Sequence, residues 1–134
     1  MAHYLLDTNI CIFYMKGLFH LEEKITDSEE DEFYISEITV GELLYGASCS
    51  DRKREVLEEV EIFISRVEIL PIYESLSCFA DTKAHLRARG QLIDDFDLLI
   101  AASAVYNDYI LITDNVKHMA RVPHIKIENW IQRT

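Results

Sequence analysis

The sequence predicts an α/β protein, a three-layer α/β/α sandwich around a mostly parallel central sheet. Short apolar runs alternate along the chain with longer stretches whose apolar residues recur at helical spacing, the pattern of βαβ units. Several of the short runs also end abruptly in polar or acidic residues, as strands do where they emerge at the rim of a sheet. The 134 residues suffice for a proper core and leave no room for a second, so one domain is expected over residues 1–134.

Each element has a local cause. His3–Leu6 reads as a buried strand. Thr8 or Asn9 can cap the helix that follows to about Lys16, where Gly17 stops it. Residues 22–32, EEKITDSEEDE, form an acidic stretch expected to be solvated. Residues 33–35 make a second strand. Ser36 then caps a helix carrying EITVGELLYGA, with Ile38, Val40, Leu44 and Tyr45 as an imperfect apolar stripe. Asp51 is placed to cap a longer helix from Arg52 to about Ser65, with Val56, Leu57, Val60 and Ile64 at core spacing. Residues 67–70 form a strand closed by Pro71, and residues 75–89 a helix stopped by Gly90. Asp94 or Asp95 caps FDLLIAASAVYND, whose Ala101, Ala102 and Ala104 permit close packing on a sheet. YILIT and residues 125–127 are the last strands.

Composition narrows the function classes. Hydrophobic residues at 49% and charged residues at 28% are normal for a soluble globular protein. The longest apolar or small-residue run, about eight residues at 98–105, is too short to cross a bilayer. The start of the chain lacks the pattern of a signal peptide because Asp7 interrupts it, so a cytoplasmic protein with no membrane role is expected. Cys11, Cys49 and Cys78 read as buried free thiols. His3, His20, His85, His118 and His124 lack zinc-ligand spacing. The net charge of −11 excludes nucleic-acid binding by overall electrostatics. Such a ligand would need local basic patches, bound cations or a basic partner.

Four acids stand out. Asp7 ends the first strand and Asp114 ends YILIT, so both fall on the rim where ligands bind in open parallel sheets. Glu42 sits in the apolar helix ITVGELLYG directly after a glycine, and Asp97 lies in the first turn of the alanine-rich helix. Singly they have plain explanations: a cap, an exposed helix residue, a carboxylate favoured by the helix dipole. Their coincidence beside apolar sequence points to convergence. Two carboxylates ~5 Å apart repel by ~3 kcal/mol at an effective dielectric near 20. Three together need a cation or must protonate. An all-oxygen donor set suits Mg²⁺, for which Mn²⁺ can substitute, rather than zinc. Such a centre can activate water and hold both oxygens of a phosphodiester in in-line displacement, which is nuclease chemistry.

LLDTNI, ITVGELLYGA, the G-x-x-I-x-x-x-D-L-L-I-A-A-S-A frame at residues 90–104, LITDNVKHMARV and the closing IENW follow the order of motifs in PIN domains. The chain closely resembles the toxin ribonucleases (VapC) of VapBC toxin–antitoxin pairs, over essentially its whole length. That resemblance implies a PIN fold, Mg²⁺-dependent endoribonuclease activity on transfer or ribosomal RNA, a homodimer and a VapB-type antitoxin partner. It places the catalytic and metal-binding acids on Asp7, Glu42 and Asp97. Thr8, Asn9 and Thr113 would orient ligands, and Asp95 falls to capping or an outer shell. The fourth family position aligns with Asn115, with an additional acid, Asp114, one place earlier; either can complete the metal shell. By alignment Asn115 should face the site, with Asp114 turned aside to cap the following short helix.

Arg52, Lys53, Arg54, Arg87 and Arg89 are candidates for phosphate contact or simply solvated helix faces. Exposed apolar residues, and hence the dimer contact, are expected at Leu18, Phe19, Leu21 and residues 43–45. The alternative function is a PIN-fold module that has lost catalysis and only binds protein or RNA. A two-component receiver lacks its second acid at the first strand and a phosphoacceptor in VEILPIY. An aspartate-nucleophile hydrolase would need Asp where Asn9 stands.

Overall fold

The computed structural model describes residues 1–25 and 30–133. The strands are β1 (His3–Leu6), β2 (Glu32–Ser36), β3 (Glu68–Leu70), β4 (Ile110–Ile112) and β5 (Lys126–Glu128). They lie in the order β3-β2-β1-β4-β5, and every neighbouring pair is parallel. Leu5 stands opposite Tyr34 on one side and Leu111 on the other. The chain builds outward from β1 through β2 and β3, then returns to the far side of β1 for β4 and β5. That reversal leaves a crevice between the ends of β1 and β4, where open α/β sheets bind ligands.

Side chains alternate across the sheet and so divide the core in two. Leu6, Ile35 and Ile112 face α1 (Thr8–Met15), α2 (Leu21–Ile25), α3 (Glu37–Ser48) and α4 (Lys53–Ile64), packing with Ile10, Leu43 and Phe63. Leu5, Tyr34 and Leu111 face α5 (Leu76–Ala88), α6 (Asp95–Asn107) and α7 (Val116–Met119), packing with Leu86, Leu98 and Met119. Three layers result, as predicted, with a sheet that is parallel throughout.

The helix ends refine the expectations. The cap of α1 is Asp7 itself, whose side chain accepts the Thr8 N–H; Thr8 and Asn9 lie inside the helix. The helix starts directly at the strand end, so the first oxygen in reach belongs to the aspartate. Gly17, at φ +70°, ends α1 as expected. Ser36 caps α3 by accepting the Ile38 N–H. The buried residues of α3 are Thr39, Leu43 and Ala47, four apart, whereas Leu44 and Tyr45 of the expected stripe are exposed. Asp51 does not cap α4; the Arg52 N–H goes to Ser50 Oγ instead. Val60 and Phe63 fill the core there, with Val56, Leu57 and Ile64 half-buried. Asp94, not Asp95, caps α6 by accepting the N–H groups of Phe96 and Asp97.

Leu21 and Ile25 bury one face of α2, so the acidic stretch begins as a helix with Glu22 and Glu23 exposed. Residues 26–29 of that stretch lie outside the described residues. Leu18 is exposed, but Phe19 is half-buried edge-on to Phe13, and Leu21 and Leu43 are buried, so the exposed apolar surface is smaller than expected. Of the three free cysteines, Cys11 is buried, Cys78 half-buried and Cys49 exposed at the end of α3. Among the described residues no helix is long and apolar enough to cross a membrane.

The α6 layer depends on small side chains. Ala101, Ala102 and Ala104 are fully buried, so the helix backbone lies close to its neighbours. Ala101→Leu adds volume to a site with no room and should cost about 1–3 kcal/mol. The check is a shift of the urea midpoint at unchanged slope.

Candidate active site

The site starts where β1 stops. The Asp7 N–H still donates to Ile112 O (2.9 Å), extending the β1–β4 ladder by one bond, and the chain then turns into α1. Its carboxylate is 5% exposed. One oxygen accepts the Thr8 N–H (2.8 Å) and the other the Thr113 hydroxyl (2.7 Å) from the end of β4. Burial nevertheless raises its pKa above the ordinary carboxylate value, outweighing both hydrogen bonds. Thr113 has a second task, accepting the Asn115 N–H at 3.0 Å, which fixes the turn after the strand.

Glu42 comes from α3. Its Oε1 accepts the Thr8 hydroxyl at 2.8 Å. Thr8 has a single hydroxyl hydrogen, so the buried 2.9 Å contact with Thr39 must be donated by Thr39. A relay therefore runs from Thr39 through Thr8 to Glu42 and locks α3 to the start of α1. Asp97 enters from the opposite layer, on the first turn of α6. Desolvation lifts its carboxyl to about 6, with further contributions from the charges of Asp7, Asp94 and Glu42. Asp97 thus lies close enough to feel the charges of Asp7 and Glu42, which come from other elements.

They line one cleft of about 700 Å³ together with Thr8, Asn9 and Asn115. Four acids (Asp7, Glu37, Glu42, Asp97) and no Lys or Arg are in its lining. Other acids nearby have structural partners. Glu37 accepts the Ile72 N–H, Asp94 caps α6, and Asp95 pairs with Lys83 at 2.9 Å. Asp95 therefore serves neither as cap nor in the cleft. Asp114 is clasped by Arg133 at 2.7 and 2.8 Å and bonded by Asn129, which pulls its pKa down. It does not line the cleft, and the short helix α7 has no side-chain cap, so the expected capping role is also absent. Asn115 does line the cleft, with Oδ1 accepting from His118 Nδ1 at 2.8 Å.

Among the described residues Asp7, Glu42 and Asp97 form no ion pair. Nor are three His, Cys, Asp or Glu side chains gathered tightly enough to enclose an ion by themselves. An open set of carboxylate and amide oxygens, with no basic side chain among them, has the donor chemistry to suit a hard cation that keeps several of its waters, as Mg²⁺ does. Arg52, Lys53, Arg54, Arg87 and Arg89 are exposed and absent from the cleft, Arg52 pairing with Glu55. Solvated helix faces describe them.

The sequence profile of the PIN domain matches residues 4–125. The chain belongs to the PIN domain family. This PIN domain is 34% identical to Ribonuclease VapC2 of Rickettsia felis, over 95% of this chain and 97% of that one. It is 35% identical to the tRNA(fMet)-specific endonuclease VapC of Salmonella typhimurium, over 97% and 99%. The crystal structure of DNA-bound VapBC from Salmonella typhimurium superposes with a TM-score of 0.90 at 34% identity, covering 97% of this chain and 99% of that one. VapBC2 of Rickettsia felis, bound to a DNA fragment from its promoter, gives 0.86 at 32% identity, covering 96% and 98%.

Sequence reading passed over Thr39 and Phe96, and assigned Tyr45 to the apolar stripe and the dimer contact rather than to the cleft. Thr39 stands three residues before Glu42, on the adjoining turn of one helix, and that spacing was a usable signal. Nothing local marks Tyr45 or Phe96 as lining the PIN-domain cleft.

The raised carboxyls set the sign of a pH effect. Between roughly pH 4 and 6 folded Asp97 keeps a proton that the unfolded chain releases, so stability without metal should fall as pH rises through that window. Asp7, raised as well, adds to the same slope. Asp97→Asn should flatten the slope and, with metal chelated, stabilise the protein at pH 7 by about 1 kcal/mol, the half-exposed position being partly screened. Urea titrations across that pH range provide the check.

Proposed function

We propose that this PIN domain is a Mg²⁺-dependent endoribonuclease toxin of a type II toxin–antitoxin pair. It would hydrolyse RNA phosphodiester bonds in the cytoplasm and be restrained by a VapB-type antitoxin. The supporting observation is that Asp7, Glu42 and Asp97, from the end of β1, α3 and α6, line one cleft without a neutralising side chain. Relatives named ribonuclease or endonuclease, and solved VapBC complexes, point the same way. The transfer RNA named for the Salmonella typhimurium relative makes transfer RNA the first substrate to try, with ribosomal RNA second.

Asp7, Glu42 and Asp97 would hold the ion, with Asn115 at the edge of the shell. Bound Mg²⁺ supplies Lewis-acid charge for the scissile phosphate and acidifies a water enough to attack at neutral pH. The chain's own part is orientation. Thr113 and the Thr8 N–H fix both oxygens of Asp7, so that carboxylate cannot rotate. The relay from Thr39 fixes Glu42. Asp97, whose carboxyl is raised to about 6 without metal, would have to release its proton to hold the ion. An RNA backbone brought into this acidic cleft would be repelled without the cation, so substrate and metal should bind cooperatively. Two copies are expected to pair, since Leu18 and Leu44 remain exposed on the helical layer.

Asp7→Asn, Glu42→Gln and Asp97→Asn should each lower RNA cleavage at least about a hundredfold (~2.7 kcal/mol). EDTA should abolish it, and added Mg²⁺ should restore it. New 5′ ends mapped on cellular RNA after brief induction give the readout; undiminished cleavage by Asp97→Asn would refute the assignment. Asp114→Asn, whose partner is Arg133 rather than the cleft, should cost less than about tenfold.

A further inference from the structure

Two large aromatic side chains line the cleft with the carboxylates and belong to neither core cluster, Tyr45 lying beside Cys49 on its own helix. Tyr45 is 71% exposed and Phe96 51% exposed, yet both line the cleft. They approach from opposite layers, Tyr45 from α3 and Phe96 from the first turn of α6, one residue before Asp97. Among the described residues neither ring stacks on another aromatic.

The faces of α3 separate their roles. Thr39, Leu43 and Ala47, four apart, form the buried face. Ile38, Gly41, Glu42 and Tyr45, spaced three, one and three, form the face that lines the cleft. Leu44, also exposed, falls on neither face.

Electrostatics then limits what the rings can be for. The cleft has four acids and no Lys or Arg, in a chain of net charge −11, so it draws no affinity from phosphates through its own side chains. A nucleobase presents a flat face and no charge, and stacking on an aromatic ring is the main remaining source of affinity here. A base in a duplex has both faces covered and cannot reach such a ring; an unpaired one can.

We propose that Tyr45 and Phe96 form a nucleobase-binding subsite, each stacking an unpaired base on either side of the phosphate presented to Asp7, Glu42 and Asp97. This rests on the nuclease reading above and adds to it the residues that select unpaired RNA. Binding in the cleft is governed by stacking, so it responds weakly to salt.

The test uses full-length protein in two steps. Cleavage of total RNA by the unaltered protein comes first; its absence defeats the nuclease reading and this subsite with it. Binding is then measured with Asp7→Asn, which should not cut and sets one charge fewer against the phosphates, to a short unstructured oligoribonucleotide carrying one 2-aminopurine and to the same strand annealed to its complement. The single strand should bind, quench the 2-aminopurine emission, and lose less than about tenfold in affinity between about 50 and 200 mM salt. The duplex should bind at least about tenfold more weakly. Tyr45→Leu and Phe96→Leu, made in both backgrounds, should each weaken binding about tenfold, raise the KM of cleavage and remove the quenching. Tyr45→Trp should restore all three. Tyr106→Leu, an exposed aromatic outside the cleft lining, should change nothing. Unchanged binding and KM in both leucine variants, while the unaltered protein cleaves RNA, would overturn the subsite alone. So would equal affinity for the duplex, or conversion of a dimer to a monomer by Tyr45→Leu, which would make that ring a subunit contact.

Discussion

A carboxylate kept at 5% exposure, bonded to one backbone N–H and one threonine hydroxyl, is the constraint on which the rest of this structure turns. Asp7 cannot be moved outward, because its own N–H completes the β1–β4 ladder. Nor is it neutralised from within, since the positions around it are threonine, asparagine and further acids. Its surroundings are therefore built to orient charge rather than to cancel it. Thr113 exists in this context as a donor from the neighbouring strand, and Thr39 as the donor that frees Thr8 to serve Glu42. Replacing these hydroxyls by methyl groups would keep the packing volume and lose the aim.

The acids of the chain divide by their partners. Asp95, Asp108 and Asp114 are matched with Lys83, Lys126 and Arg133, and Asp94 with the open N–H groups of α6. Asp7, Glu42 and Asp97 have no such match among the described residues. Arg133 has the further effect of turning one of two adjacent polar residues outward and leaving Asn115 at the cleft, so the segment near the end of the chain shapes the shell around the site. Lying over the Phe19 ring as well, that guanidinium is held at two points, more than an isolated surface ion pair offers.

Much of this was legible in the sequence, and the exceptions share a cause. The order of elements follows from periodicity, and Ser36, Gly17 and Gly90 mark ends because their chemistry acts within a few residues. Asp7, Glu42 and Asp97 could be picked out because each sits against apolar sequence. Where reading failed, a competing neighbour decided. Asp7 took the cap from Thr8, Ser50 took the Arg52 N–H from Asp51, and Lys83, twelve residues away, took Asp95. Leu21 and Leu43 were expected at the surface, but both pack into the core cluster that holds Leu6, Ile10 and Phe63, residues distant in sequence. The turning of Asp114 depends on Arg133, nineteen residues on, which no local pattern announces.

The hydrogen bond between Thr113 and Asp7 joins residues 106 positions apart. The first strand can pair with β2 as soon as some thirty residues have emerged, but its other edge stays open until β4 exists. At translation speeds of about 5–20 residues per second, that delay is on the order of 4–15 s. A growing chain therefore carries Asp7 and Glu42 long before Thr113 reaches the second Asp7 oxygen or Asp97 arrives. The cleft is assembled only in the closing moments of synthesis, so a truncated or stalled product holds the acids without the arrangement that gives them a use.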